Sequence, residues 1–298
     1  MRISDTQFSQ MMLQSLQTNN AGLGKVMEQM ATGKELTKLS DAPIDAIKLL
    51  NLSREGSAID QYKSNIDNVK TALSGQETYL DAANNTLKSM RDLVVWGANG
   101  SLTDVDRAGI ANQLESLRDS LVSTFNAQNE EGHYIFSGTQ TDTPSLVENN
   151  GTLNIGGNAD KRVVTVAKGV TMESNVTAQD ILDLGGTNVI NQIDRLLTEF
   201  RQPTPNFQAE VNSALGAIDT TLGNVLSAMT TIGGRFNNLD LMASSHTDNK
   251  LFVEKVSSDI EALDYGEASV RLNNYISALQ ATQASYVKIN DLSLFSRI

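Results

Sequence analysis

Two histidines, a serine and scattered carboxylates are the residues in this chain whose types suggest chemistry. The stretch GHYIFSGTQTDT, Gly132 to Thr143, places His133 four residues before Ser137 and nine before Asp142. A nucleophilic serine needs its base within hydrogen-bond reach and a third group to orient the imidazole. Tyr134 and Phe136 alternate with Ile135 and Ser137, which predicts a strand. On a strand His133 and Ser137 share a face but stand about 13 Å apart. No G-x-S-x-G elbow is present, so the spacing predicts turn and strand rather than a triad.

The other candidates read the same way. His246 continues an apolar helical stripe, with Met242 and Lys250 at the positions where a second metal ligand would stand, so it reads as a packed or interface histidine. GLGK (Gly22–Lys25) and TGKE (Thr32–Glu35) are similar to phosphate loops but lack the full pattern and follow no strand. They read as small-residue breaks where helices approach closely. GGNAD (Gly156–Asp160) is one copy of a calcium-repeat fragment and reads as a turn. The carboxylates are scattered over solvated helix faces, and no acidic pair can be nominated. No catalytic residue, metal or cofactor is expected.

Composition narrows the class further. The chain has 298 residues, 40% hydrophobic but only 5% aromatic, and no cysteine. Thiol catalysis, disulfides and cysteine-based metal sites are excluded. A formal charge of -12 gives phosphate binding little electrostatic support, so no nucleic acid is expected. No apolar run reaches the ~18 residues of a membrane span, and MRISDTQFSQ lacks the apolar core of a secretory signal.

Helical spacing dominates both ends of the sequence. Met12, Leu16, Leu23, Val26 and Met30 form a narrow seam that stops near Gly33. Ser40 or Asp41 can cap a second helix, with Pro43 in its first turn. Ile59 through Val94 keeps a 3-4 repeat almost unbroken, the period of a left-handed coiled coil. Thr103 with Asp106 forms a capping-box pattern ahead of Ile110, Leu114, Leu117, Leu121 and Phe125. Helical spacing returns at Val189–Leu197, and again from Val211 to Val253. It then resets to Tyr265, Leu272, Leu279 and Tyr286, flanked by Tyr275 and Ile289.

The middle alternates with period two at Leu153/Ile155, Val164/Val166 and Val170/Met172, separated by turn chemistry. The fold class expected is mainly α. An elongated antiparallel coiled-coil rod is built from the N- and C-terminal segments, with a small β-rich domain inserted at its distal end. The expected divisions are 1–42 with 256–298 as a terminal assembly domain, 43–140 with 186–255 as a helical rod carrying a β-hairpin near 132–140, and 141–185 as the insertion. The terminal seams would be exposed unless partners cover them. Met12, Leu16, Leu23, Val26, Met30, Tyr265, Leu272, Tyr275, Leu279, Tyr286 and Ile289 are therefore the candidate assembly seam. Tyr134, Ile135, Phe136 and Gly138 are the candidate packing residues where rod meets insertion.

LGKVMEQMATGKELTKLSDAP (Leu23–Pro43) resembles the N-terminal signature of the flagellin-like family, and Ile260–Ile298 resembles its C-terminal partner. MRIS at the start and GHYIFSGTQT in the middle are similar to the members of that family that join hook to filament. Gly266 departs from the alanine usual there. The resemblance implies a non-catalytic flagellar protein that leaves the cell without a cleaved signal. It implies a homo-oligomer in a helical array, with a hook-side junction protein, flagellin and a cytosolic export chaperone as partners. A short flagellin of the filament itself is the alternative, and a secreted hydrolase with its site in the insertion is a distant third.

Overall fold

The computed structural model describes residues 2–38, 42–99 and 102–295. The elements in chain order are α1 (Arg2–Thr32), α2 (Pro43–Gly97), α3 (Asp104–Phe125), β1 (Leu146–Asn149), β2 (Thr152–Ile155), β3 (Val163–Ala167), β4 (Val170–Glu173), α4 (Ala178–Leu182), α5 (Val189–Arg201), α6 (Phe207–Glu261) and α7 (Tyr265–Phe295). The mainly helical class read from periodicity is the class observed. The chain divides into two compact units, residues 1–58 with 248–298, and residues 59–247.

The larger unit is organised by the coiled-coil seam. Ile66, Val69, Leu73, Leu80, Ala83, Leu87, Met90 and Val94 of α2 are all buried. Its partner stripe on α6 is Val211, Ile218, Val225, Ile232 and Leu239, each 0% exposed at a seven-residue interval. That interval keeps one apolar face turned to the partner along the helix. The two helices run antiparallel in constant register. Lys70 Nζ lies 2.6 Å from Asp240, Arg91 Nε 2.7 Å from Asp219, and Lys63 Nζ 3.1 Å from the Thr247 hydroxyl. Helices α3 and α5 complete the core with Ile110, Leu114, Leu121, Ile193 and Leu196. Arg118 clamps Asp194 through Nε at 2.9 Å and Nη2 at 3.0 Å. The capping box read at Thr103 is formed: the Thr103 hydroxyl accepts from the Asp106 amide, and the Asp106 carboxylate accepts from the Thr103 amide.

The β structure is two separate antiparallel hairpins rather than one sheet. β1 pairs with β2 around Asn150 (φ 53) and Gly151 (φ 75), a two-residue turn that needs left-handed backbone at both positions. β3 pairs with β4, with a register shift between Thr165 and Ala167. A lone two-stranded hairpin is marginal in water. These two send Leu146, Leu153 and Val166 into the same core as the helices, so 141–185 belongs to the larger unit. Asparagine side chains satisfy backbone groups of the hairpins. Asn126 both donates to the Leu146 carbonyl (3.0 Å) and accepts from its amide (2.8 Å), and Asn191 does the same for Leu153 (2.8 and 3.0 Å).

Two local expectations are corrected. The hairpin expected near 132–140 is not formed. That stretch is a series of turns with one isolated bridge, Gln128 to Tyr134. The Asn129 carboxamide oxygen accepts from the Glu131 and His133 amides, and Gly132 and Gly138 hold positive φ, so local turn bonding displaces a ladder. GGNAD is not a simple turn either. A Cβ on Gly157 would sit 2.6 Å from the Ser137 backbone, so the two backbones are in direct apposition. Ser40 and Asp41, expected as caps, lie outside the described residues.

Candidate assembly surface

The smaller unit places the predicted seam residues on two long helices that run antiparallel. Gly33 faces Tyr265 at one end of the pairing, and Gly22 faces Tyr275 eleven residues back along α1. A backbone clasp fixes that register. Lys34 and Ala262 form an antiparallel bridge, the Glu35 amide donates to the Glu261 carbonyl (2.8 Å), and the Leu263 amide donates to the Gly33 carbonyl (3.0 Å). Gly33 ends α1 in the left-handed conformation (φ 71), a position open to glycine without strain.

Val26, Leu263 and Ala268 are the buried apolar centre of this pair, with Met30, Leu272 and Tyr275 packed against it. Gly22 lets the Tyr275 ring come close: a Cβ there would stand 2.5 Å from it. Met12, Leu16, Leu23 and Leu279 are half-buried. Tyr265 is 53% exposed and its hydroxyl donates to the Met30 carbonyl (3.3 Å), while Tyr286 is exposed. The Ile289 side chain lies outside the described residues. Several seam residues read as an intermolecular surface thus meet each other across α1 and α7 of one chain.

The smaller unit also carries exposed apolar residues. Met27 on α1, Ile44 and Ile47 on α2, Phe252 on α6, and Val270 and Val287 on α7 are each more than half exposed. Charge is partitioned along with them. The smaller unit holds 11 Lys and Arg against 13 Asp and Glu, and the larger holds 12 against 22. The smaller unit is therefore nearly neutral and the larger carries a net charge of -10. Like-charge repulsion opposes close packing of the larger unit far more than of the smaller.

The central stretch resolves into packing and loop pinning. Phe136 is buried, 5.3 Å from Phe125 and 6.5 Å from Tyr79 between ring centroids. Ile135 packs beside it, Tyr134 is half-buried, and Gly138 (φ 71) lies against Asn158. Ser137 is fully buried, its hydroxyl donating to the Thr143 carbonyl (2.6 Å) and lying 2.8 Å from Ser145 Oγ. His133 instead lies 3.4 Å from Glu131 and 3.7 Å from Asp142, at the surface. The turns bring histidine and aspartate together but bury the serine with other partners. His246 packs as read: Nε2 is 2.8 Å from the Val166 carbonyl and the ring stacks on Tyr62.

An open cleft of about 600 Å³ does lie beside β2 and α5. Its acids are committed elsewhere, Asp194 to Arg118 and Asp183 to the Gly185 and Gly186 amides. Gln76 was missed. It occupies a seam position of α2, is 1% exposed, donates to the carbonyls of Ile135 and Val176 (3.0 Å each) and accepts from the Val176 amide (2.8 Å). A glutamine in an otherwise apolar heptad was the signal.

The chain is similar to known proteins. The model for the bacterial flagellin N-terminal helical region matches residues 3–141. Flagellar hook-associated protein 3 of Escherichia coli is 28% identical over 99% of both chains. The flagellin of Listeria innocua is more distant, 20% identical over 87% of this chain and 85% of its own length. A solved flagellar hook-associated protein structure from Vibrio parahaemolyticus is 64% identical, with a TM-score of 0.72, covering 74% of this chain and all of its own. Long paired terminal helices, a turn-rich GHYIFSGTQT stretch docked on a coiled-coil core, and a relative of that identity place the chain in the flagellar hook-associated proteins of the flagellin-like family.

Proposed function

We propose that this chain is a structural, non-catalytic subunit of the extracellular flagellum that self-assembles in a helical array at the junction of hook and filament. The observation that carries the reading is the smaller unit. Its helices pair α1 with α7 through one apolar cluster and leave further apolar side chains such as Met27, Val270 and Val287 more than half exposed, on a nearly neutral scaffold. Among the described residues, three buried apolar side chains form the core of this long helix pair. Ordering such arms is offset only when neighbouring copies cover them. Contacts between unlike surfaces repeat without closing, which produces a tubular array. The hook-side junction protein and flagellin are the neighbours above and below. A cytosolic chaperone would cover the C-terminal seam before export, which removes no signal peptide.

Imaging of isolated appendages tests the placement. Label on this chain is expected at one narrow zone between hook and filament, and its deletion should release flagellin monomer into the medium. Label along the whole filament would make it a short flagellin instead.

A further inference from the structure

The tip of the β1–β2 hairpin carries the sequence ENNG, Glu148 to Gly151. Among the described residues Asn150 is the one non-glycine with positive φ (53), and Gly151 follows it at φ 75. Residues 148–152 are all exposed. Among the described residues the Asn150 carboxamide makes no hydrogen bond, and the Gly151 amide donates to no group. A Cβ on Gly151 would meet nothing within 4 Å, so open space surrounds the turn.

An asparagine carboxamide is an electrophile tethered close to the next peptide nitrogen. A side chain on the following residue obstructs the approach of that nitrogen. Glycine has no Cβ and the widest backbone freedom, so it obstructs least. Two Asn-Gly pairs occur in the sequence, 99–100 and 150–151, and Gly100 lies outside the described residues. The fold leaves the second pair free to move. A two-stranded hairpin is marginal in water, and its anchors stand below the tip, Asn126 on Leu146 and Asn191 on Leu153. Among the described residues no side chain outside the hairpin bonds to the backbone of 148–152. Opening the tip therefore breaks none of the anchoring bonds, and local opening concentrates at such exposed loop tips.

We propose that Asn150 is a self-modifying site, which deamidates through a cyclic imide with Gly151 and consumes only water. Base removes the Gly151 amide proton, and the nitrogen attacks Asn150 Cγ. The Cγ–Nδ2 bond breaks and ammonia leaves, which closes a succinimide ring. Water adds to one of its two carbonyls and reopens it. Cleavage at Cγ gives aspartate. Cleavage at the main-chain carbonyl gives isoaspartate, whose chain runs through the former side chain. Nothing is oxidised or reduced. Either product adds a negative charge beside Glu148, on the unit that already holds 22 Asp and Glu against 12 Lys and Arg. Isoaspartate also adds one carbon to the main chain of the turn. A two-residue turn so lengthened no longer sets Asn149 opposite Thr152. Asn126 and Asn191 still hold Leu146 and Leu153, so the change stays at the tip.

The full-length chain is aged in mildly alkaline buffer, folded and in urea, beside its Asn150→Gln variant, whose longer side chain would have to close a larger ring. Digestion and fragment masses locate each change. In the folded chain position 150 should gain about one dalton, at least tenfold faster than asparagines that precede a side-chain-bearing residue. Both aspartate and isoaspartate should form, and Asn150→Gln should lose the gain at position 150. On the aged chain, amide exchange at Asn149 and Thr152 should quicken at least tenfold, with Leu146 and Leu153 unchanged. A gain in urea with none in the folded chain would show that the hairpin shields its own tip, and would overturn the proposal. Aspartate without isoaspartate would exclude the cyclic imide and overturn the route. Equal quickening at Leu146 and Leu153 would overturn the confinement of the change to the tip.

Discussion

Gln76 shows how one polar side chain sets the position of two loops. Its carboxamide makes three hydrogen bonds to backbone at Ile135 and Val176, residues 59 and 100 positions away. In a seam governed only by apolar contact, leucine at this position would stabilise the helix pair. Here it would leave two carbonyls and one amide buried without partners, and each such group costs about 1–3 kcal/mol. Gln76→Leu should therefore destabilise the chain by about 2–4 kcal/mol in urea unfolding, after partial relaxation. An unchanged or raised midpoint would mean that the loops are held by Phe136 and its neighbours alone. The seam position was visible in the sequence, but the partners of its amide were not, because they lie far away along the chain.

At the scale of the element, α4 depends on its first turn. Thr177 and Asp180 form a reciprocal capping box, and Lys161 adds an ion pair to the same carboxylate. Burial works against ionisation of Asp180, but Lys161 and the Thr177 amide and hydroxyl outweigh it and hold its pKa below the usual carboxylate range. A carboxylate with a depressed folded pKa contributes stability above its unfolded value near 3.8 and loses it as pH falls through the folded value. Asp180→Asn should lower stability at pH 7 and narrow the gap to wild type as the pH is taken below about 4. Equal losses at both pH values would remove charge from the account. Helix α4 is too short to show a helical period, which is why periodicity did not find it. The turns at 132–140 failed for the opposite reason: an alternating pattern was present, but Asn129 and the flanking glycines offered the backbone closer partners than a second strand.

At the scale of the whole molecule, the two units differ in how much apolar surface they bury for themselves. The larger has a continuous core from Ile66 to Leu239, and the smaller, among the described residues, has the cluster Val26, Leu263 and Ala268 with Ala46 and Val253 buried outside it. Local opening free energy follows buried contact density. Hydrogen exchange on the free chain should protect α2 across 66–94 and α6 across 211–239 by at least tenfold more than α1 and α7. Equal protection would show arms already stable as monomer and would count against coupling their order to assembly.

The sequence by itself determined the helical class, the 3-4 seams, the caps at Thr103 and the period-two middle. These depend on residues within one or two turns of each other, so spacing alone encodes them. Its long terminal and central motifs also carried the family. Only the tertiary structure decided that the terminal seams meet each other through α1 and α7, and that 141–185 shares the helical core. It also decided that Ser137 is buried away from His133. Each of these turns on which distant residues arrive at one place. That is fixed by packing and by where buried polar groups find partners, and no local pattern in the chain states it.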